Sequence, residues 1–443
     1  MIVEFSIANT FSIKDCQTIS FEAVTDAVAP TDGVDTASAV HCIELGEGES
    51  RRRLLKVACL YGANASGKTN ILTALRFYVS FTINSFTTLK PGEATHFVPF
   101  RFDEQTAQDP GFFKLVFYLQ NPASGAYTLY DYELLLCATH VVKEKLTSAP
   151  LTAAAGRKRL VYERTDDGKV KWGSDVTGAK KLIAEMTRPN CTVFSTAAQA
   201  QQPLFLQLYE ALATRFCGMA LPSADLEQLS SFTLKRIEDD PAYKEKVISM
   251  FNASDIAPIS DIRIETQTIS EGLLRQLPGA VQDAFAAHPD RAQSRRALFV
   301  HKYADKEYEL PAGYESAGTL RMLELLAPLS EVIKKHSFIL IDELEMSLHE
   351  ELVETFLRLF LVSSNDSQLL FTTHNQELLD AGLLRDDEIW FCYKTESGNS
   401  VYNAITDYAG ITAGVSRKKL YQAGKFGALP VVDMNQLLEL FNA

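Results

Sequence analysis

Two parts of the chain combine short apolar runs with helical spacing of apolar residues. In the first part, an apolar run at 57–61 breaks at Gly62, and apolar residues then recur at helical spacing from Ile71. In the second part, strands alternate with helices, which is typical of a mostly parallel sheet. The elements predicted there are a helix at 317–334, a strand at 338–341, a helix at 348–361, a strand at 368–373, a short helix at 376–381 and a strand at 388–393.

Between these parts the period of the hydrophobic pattern changes twice. From 97 to about 171 apolar and polar residues alternate, which predicts antiparallel strands and a hairpin turn at 167–168. From 178 to 250 the spacing becomes helical. The predicted fold is therefore α/β, with a mixed sheet, an antiparallel β lobe and an inserted helical lobe. The predicted domains are 1–90 (N-terminal half of the α/β head), 91–175 (antiparallel β lobe), 176–300 (inserted, mainly helical lobe), 301–410 (C-terminal half of the head) and 411–443 (tail).

Composition and net charge bear on the size of the core and on a nucleic-acid partner. The chain has 443 residues, 46% of them hydrophobic, so it can bury a large core. Its formal net charge is −13, so charge does not indicate a nucleic-acid partner. Short basic clusters occur, and each is interpreted as solvated surface, with a local nucleic-acid patch left open as the alternative. These clusters are 51–53, 157–159, 295–296 and 417–419.

Cysteine usage and the N-terminus bear on location. The seven cysteines are scattered and lack C-x-x-C spacing, which is typical of a reducing cytoplasm and argues against a zinc ribbon or a disulfide framework. The first residues do not resemble a signal peptide, and no apolar run reaches about 18 residues. We expect a cytoplasmic protein without a membrane partner.

The stretch 62–69 reads GANASGKT, which is G-x-x-x-x-G-K-T with a predicted strand before it and a helix after it. Gly62 and Gly67 allow backbone angles through which successive N–H groups converge on a phosphate. Lys68 would reach the outer phosphates, and the Thr69 hydroxyl would hold Mg²⁺. The alternative is a glycine-rich turn that matches by chance. The predicted binding residues are Gly62, Asn64, Ala65, Ser66, Gly67, Lys68, Thr69 and Asn70.

Two carboxylates follow a second apolar run, in FILIDELEMSLH at 338–349. In a parallel sheet they would lie at the edge where ligands bind, beside the phosphate loop. Asp342 is then placed to hold the Mg²⁺ shell, and Glu343 to accept a proton from the water that attacks the terminal phosphate. The alternative is a solvated turn.

Two further motifs are weaker when taken alone. His374 follows a third apolar strand in QLLFTTHNQELL, where it would contact the γ-phosphate; a structural histidine is the alternative. In ESAGTLRML, Ser316, Gly318 and a helix N-terminus offer donors to an anion. A simple helix cap would look the same.

The order GANASGKT, ESAGTLR, ILIDELEMSLH, LLFTTHN resembles the ABC-type ATPase heads of the SMC and OLD families. It is more closely similar to the compact AAA-family ATPases of two-gene bacterial anti-phage and abortive-infection systems, of which PARIS, with its ATPase AriA, is one example. The resemblance covers about 1–90 and 300–410. It implies that ATP and Mg²⁺ are bound and used by Lys68, Thr69, Asp342, Glu343 and His374.

The resemblance also implies a composite site. Ser316 and Gly318 would close over the nucleotide of a second protomer, so the ATP-bound state would be a homodimer or a ring of dimers, with 345–349 linking the two sites. The chain departs from the family at 9–12, which reads NTFS with Phe11 where a basic residue is usual. The glutamine-containing loop of the superfamily is not located. Slow, switch-like hydrolysis is the expectation.

The leading hypothesis is an ATP-driven sensor and scaffold that holds a separate effector, a nuclease or toxin, until a phage protein triggers its release. It depends on the shortness of the chain after His374, which leaves little room for a nuclease domain. One alternative is an SMC-like DNA repair or recombination ATPase that binds DNA directly. A third interpretation is the ATPase subunit of a membrane transporter, whose signature is usually richer in Gly and Gln.

Overall fold

The computed structural model divides into two compact units. The first comprises Met1–Met219, Ile333–Leu344 and Leu357–Ala443, and the second comprises Ala220–Val332 and Glu345–Phe356. The structure describes residues 1–24, 38–121, 124–151, 157–220, 226–254, 258–268, 272, 293–332, 337–412, 414–429 and 434–442.

One sheet of the first unit is antiparallel. Among the described residues its strand order is β10-β9-β8-β7-β6-β1-β2. Its strands are β1 (Ile2–Ala8), β2 (Gln17–Ser20), β6 (Gly111–Gln120), β7 (Tyr127–Leu136), β8 (Val141–Pro150), β9 (Arg159–Arg164) and β10 (Val170–Trp172). β1 pairs with β6, so that Phe5 faces Leu115. The boundary predicted at 90/91 therefore runs through one continuous sheet, because the edge of β6 is completed by the N-terminal strand.

The second sheet of the first unit is mixed and has the order β11-β15-β16-β5-β17-β18 among the described residues. Its strands are β5 (Val57–Gly62), β11 (Phe216–Ala220), β15 (Phe338–Ile341), β16 (Gln368–Thr373), β17 (Ile389–Lys394) and β18 (Ser400–Ala404). β15, β16, β5 and β17 run parallel, and β18 is antiparallel to β17. β5 and β16 are buried on both faces, which explains their continuous apolar runs. The predicted α/β fold with a mixed sheet and an antiparallel β lobe is confirmed.

The second unit contains a three-stranded antiparallel sheet in the order β12-β13-β14, as far as the structure describes it. Its strands are β12 (Ile259–Thr268), β13 (Gln293–Tyr303) and β14 (Lys306–Pro311). The segment 176–300 is thus helical only in part. A short β3–β4 pair, Cys42–Leu45 with Arg52–Leu55, lies in the first unit.

Helices are present after the phosphate loop, within 178–250, and at the positions predicted as 317–334 and 348–361. The described helices are α1 (Ser38–His41), α2 (Lys68–Thr88), α3 (Lys180–Met186), α4 (Val193–Gln199), α5 (Pro203–Arg215), α6 (Leu226–Asp239), α7 (Pro241–Ala253), α8 (Ala317–Val332), α9 (Glu350–Ser363), α10 (Arg417–Gln422) and α11 (Met434–Asn442). The short helix predicted at 376–381 is a 3₁₀ turn, Glu377–Leu379. Among the described residues, no helix is both long and apolar enough to cross a membrane.

A buried carboxylate joins β8 to α4. Glu144 is fully buried and accepts hydrogen bonds from the hydroxyls of Tyr132 (2.8 Å) and Tyr162, and from the N–H groups of Val193 (2.8 Å) and Phe194 (3.1 Å). Burial raises the pKa of each tyrosine well above the ordinary value for tyrosine. The two hydroxyls therefore keep their protons and remain donors. The Val193 and Phe194 N–H groups lie in the first turn of α4, where no carbonyl of the helix can accept from them.

We expect Glu144→Ala to lower the free energy of unfolding by about 3–5 kcal/mol, because four buried donors lose their acceptor. Urea unfolding measures this loss. Glu163→Ala is the matched control, since the Glu163 side chain on β9 is partly exposed and lies 3.7 Å from the Lys143 ammonium; its cost should stay below about 1 kcal/mol. A loss below about 1 kcal/mol for Glu144→Ala would contradict the prediction.

Candidate functional site

The phosphate loop lies between β5 and α2 and needs its two glycines. Gly67 has φ +118°, and a Cβ there would collide with the Ser400 side chain. A Cβ on Gly62 would collide with the Cys392 carbonyl oxygen. Ala65 also has positive φ (+61°), which is uncommon for a residue with a side chain and is typical of a tight, specialised turn. The backbone conformation is therefore the unusual one that the motif predicts.

The loop side chains divide into buried and exposed groups. Asn64 and Ala65 are exposed, whereas Ser66 and Lys68 are buried. The Lys68 ammonium donates to the carbonyl oxygens of Gly62 (2.9 Å) and Ala63 (3.0 Å), which holds a positive charge at the loop itself. Asn70, in the first turn of α2, donates from its side chain to Ser12 Oγ (2.6 Å).

Asp342 connects two strands of the mixed sheet, β15 and β16, with α2. It follows β15 and is buried, and its carboxylate accepts from the hydroxyls of Thr69 (2.7 Å) and Thr372 (2.5 Å). Thr69 and Asp342, which are expected from the sequence to hold Mg²⁺, are thus in direct contact. A carboxylate and a hydroxyl side by side are hard oxygen donors of the kind that Mg²⁺ prefers, so the residues fit that ion.

The backbone of Glu343 is fixed by an unusual conformation and by a hydrogen bond. Its φ is +49°, and its N–H donates to Thr372 Oγ1 (2.8 Å). A positive φ on a residue with a long side chain is a strained conformation of the kind found at functional sites. His374 directly follows β16 and is half-buried.

Thr372 was not predicted as a site residue. Its hydroxyl donates to Asp342 and accepts from the Glu343 N–H, so it connects the two acidic residues. In the sequence, Thr372 stands two residues before His374, at the polar end of an apolar strand. This position indicates that Thr372 lies near the edge of the sheet. The strand order is needed to know that its side chain contacts Asp342.

Ser316 and Gly318 lie in the second unit. Ser316 Oγ accepts from the Thr319 N–H (3.0 Å), so the serine caps α8. A Cβ on Gly318 would approach the Ser347 carbonyl oxygen to 3.0 Å, so the glycine permits close contact with the loop at 345–349. The preceding Glu315 pairs with His301 of β13 (2.6 Å), and both side chains are buried.

Comparison with known proteins decides the family. The profile of the family described as "AAA domain, putative AbiEii toxin, Type IV TA system" matches residues 57–183 and 228–380, which is more than half of the chain. The chain belongs to this family. The match to this AAA domain includes the phosphate loop, Ser316, the Asp342–Glu343 pair and His374.

Solved structures similar to this AAA domain are heads of SMC proteins. An Smc head bound to the C-terminal winged-helix domain of ScpA is 12% identical, with a TM-score of 0.41, over 92% of this chain and 99% of that one. The SMC head from Thermotoga maritima is 12% identical, with a TM-score of 0.38, over 91% and 98%. An Smc head with an extended coiled coil, bound to the C-terminal domain of ScpA from Pyrococcus furiosus, is 13% identical, with a TM-score of 0.36, over 96% and 98%. No curated protein sequence matches the chain.

Proposed function

We propose that this AAA domain binds ATP and hydrolyses it to ADP and phosphate. The observation that carries the proposal is the continuous set of contacts from Thr69 through Asp342 and Thr372 to the backbone of Glu343, next to the buried Lys68 of the loop. These contacts support the proposal because they join the phosphate loop to the residues proposed as metal ligand and base. Phosphate release from ATP by the purified chain, with and without Mg²⁺, tests the activity.

Each residue has a defined part in this proposal. The loop N–H groups and Lys68 bind the phosphates, and Glu343 accepts a proton from the attacking water. Thr69 and Asp342 would hold Mg²⁺, which neutralises phosphate charge when bound. Thr372 orients both acidic residues, and His374 is proposed to contact the γ-phosphate.

We further propose that the chain is the sensor and scaffold of a defence system that holds a separate nuclease or toxin. The family description, which names a toxin–antitoxin system, supports a partnership of this kind. Ser316 and Gly318 are proposed to complete the nucleotide site of a second protomer, so that ATP favours a dimer or a ring of dimers. The exposed position of Ser316 at the start of α8 is compatible with such a contact. Turnover in this role is expected to be slow, and a phage protein is the proposed trigger.

Affinity capture of the Glu343→Gln chain from its native host, with ATP and Mg²⁺, should recover a stoichiometric nuclease or toxin on a multi-protomer ATPase. Mass spectrometry identifies the partner, and native mass gives the assembly. Lys68→Ala is the control bait, because it should not retain ATP and should not assemble. A homodimer carrying only DNA would favour the DNA repair alternative, and a monomer without a partner would contradict the composite site.

A further inference from the structure

The carbonyl groups of the phosphate loop are held by side chains of the last two strands of the mixed sheet. Ser400 Oγ donates to the Ser66 carbonyl oxygen (2.5 Å), and the Tyr402 hydroxyl donates to the Gly67 carbonyl oxygen (2.7 Å). The Cys392 thiol also reaches the Ser66 carbonyl oxygen (3.4 Å). Ser400 and Tyr402 are two residues apart on β18, so their side chains share one face of the strand.

A turn near the N-terminus extends this set of contacts. Ser12 Oγ lies 2.7 Å from Ser400 Oγ and accepts from the Asn70 side-chain amide (2.6 Å). Each hydroxyl has one proton to donate, and Ser400 uses its proton for Ser66. Ser12 must therefore donate to Ser400. The result is a directional chain of hydrogen bonds from Asn70 through Ser12 and Ser400 to the Ser66 carbonyl.

The turn that carries Ser12 is itself tied to the start of β18. Ser12 accepts from the Ser400 N–H (2.7 Å) through its backbone oxygen, and the Lys14 N–H donates to the Asn399 side chain (2.7 Å). Asn9 and Phe11 in this turn both have φ +50°. Two residues with side chains at positive φ in one short turn represent strain, which persists only where surrounding contacts impose it.

These contacts matter because of peptide geometry. The Ser66 carbonyl shares a planar trans peptide with the Gly67 N–H, and the Gly67 carbonyl shares one with the Lys68 N–H. In a trans peptide the N–H and C=O groups point in opposite directions. Fixing the two carbonyls therefore fixes the direction of two N–H groups at the start of α2, where helix geometry supplies no internal acceptor for them.

We propose that Tyr402, Ser400 and Ser12 are positioning residues, which hold the Gly67 and Lys68 N–H groups in the direction needed to bind nucleotide phosphates. The proposal rests on the proposed function, since it concerns the same phosphate loop. If these residues position the loop, nucleotide affinity depends on the packing of β18 against it. β18 (Ser400–Ala404) lies after residue 380, where the match to the family ends. Burial raises the pKa of Tyr402 well above its ordinary value, so its hydroxyl keeps the proton that it donates.

The test compares two buried tyrosines that each donate to a backbone carbonyl. Tyr402→Phe removes the side-chain donor to the Gly67 carbonyl oxygen, which also accepts from the Asn70 N–H (2.9 Å), and Tyr78→Phe removes a donor to the Tyr132 carbonyl oxygen (2.8 Å) on the antiparallel sheet. Calorimetric titration of the full chain with ADP and ATP should give a Kd about 10-fold higher for Tyr402→Phe, as expected for a lost buried hydrogen bond. Tyr78→Phe should change Kd less than about twofold, although both variants should lower the melting temperature similarly.

Steady-state kinetics add a measurement that general destabilisation would not reproduce. KM for ATP should rise about 10-fold in Tyr402→Phe while kcat changes less than about threefold, because the hydroxyl donates to the phosphate loop at Gly67, whereas the proposed base is Glu343. Ser400→Ala, which interrupts the chain of hydrogen bonds from Asn70 to the Ser66 carbonyl, should also raise the Kd and KM for ATP. Unchanged Kd in both variants, or an equal loss in Tyr78→Phe, would overturn the positioning role. Failure of the unaltered chain to bind nucleotide would instead overturn the proposed function.

Discussion

Replacing Glu343 with Gln should lower kcat for ATP hydrolysis at least about 100-fold while leaving the Kd for ATP within about threefold. The amide keeps the shape of the side chain but cannot accept a proton, and a positioned general base contributes about 10²–10⁴ in rate. The backbone contact with Thr372 does not involve the side chain, so the substitution should leave the fold of the site intact. Phosphate release at saturating ATP gives kcat, and calorimetry gives Kd.

The control for this experiment is Glu351→Gln, on an exposed residue in the first turn of α9. It makes the same chemical change on another glutamate and should leave kcat unaltered. Turnover of Glu343→Gln within about threefold of the unaltered chain would remove Glu343 as the base. The remaining acid–base candidate would then be His374, which directly follows β16.

Lys68→Ala should raise the Kd for ATP at least about 30-fold. The ammonium of Lys68 is buried and donates hydrogen bonds to two carbonyl oxygens of the phosphate loop, so it places a positive charge at the loop. Removing a hydrogen-bonded charge from a buried site costs about 2–5 kcal/mol of binding, which is a factor of about 30 or greater. Calorimetric titration with ATP and Mg²⁺ measures the loss directly.

Lys56→Ala is a closely matched control. Lys56 immediately precedes β5, at the end opposite to the phosphate loop, and it is also buried with its ammonium on two carbonyl oxygens, those of Leu361 (3.1 Å) and Ser364 (2.5 Å). Its loss should destabilise the fold and leave ATP affinity within about threefold. If both lysine variants lost affinity equally, the effect would be one of stability, and Lys68 would not be a phosphate ligand.

The phosphate loop is supported from two directions. Asp342, which also accepts a hydrogen bond from Thr372, contacts the loop end at Thr69, and Ser400 and Tyr402 donate to its carbonyls. The expected kinetic effects differ accordingly. Loss of the base lowers kcat, whereas loss of the carbonyl contacts raises KM, and measuring both separates the two roles.

Much of the local structure could be predicted because it depends on residues close together in the chain. The loop between β5 and α2, the apolar strands that end at Asp342 and His374, and the helix after Ser316 all have short-range patterns. β14 and β18 were not predicted. β14 is exposed throughout, and β18 is only five residues long. Their strand geometry depends on pairing with a neighbour rather than on their own hydrophobic pattern.

The sequence by itself determined which residues are proposed to carry the chemistry, because a glycine-rich turn, a lysine and carboxylates at strand ends are local signals. Only the tertiary structure decided how those residues are held. Thr372 reaches Asp342 because β16 pairs with β15, and Ser12 meets Ser400 across almost the whole chain. Such contacts have no characteristic spacing in sequence, since they depend on strand order and on which polar side chains are buried together.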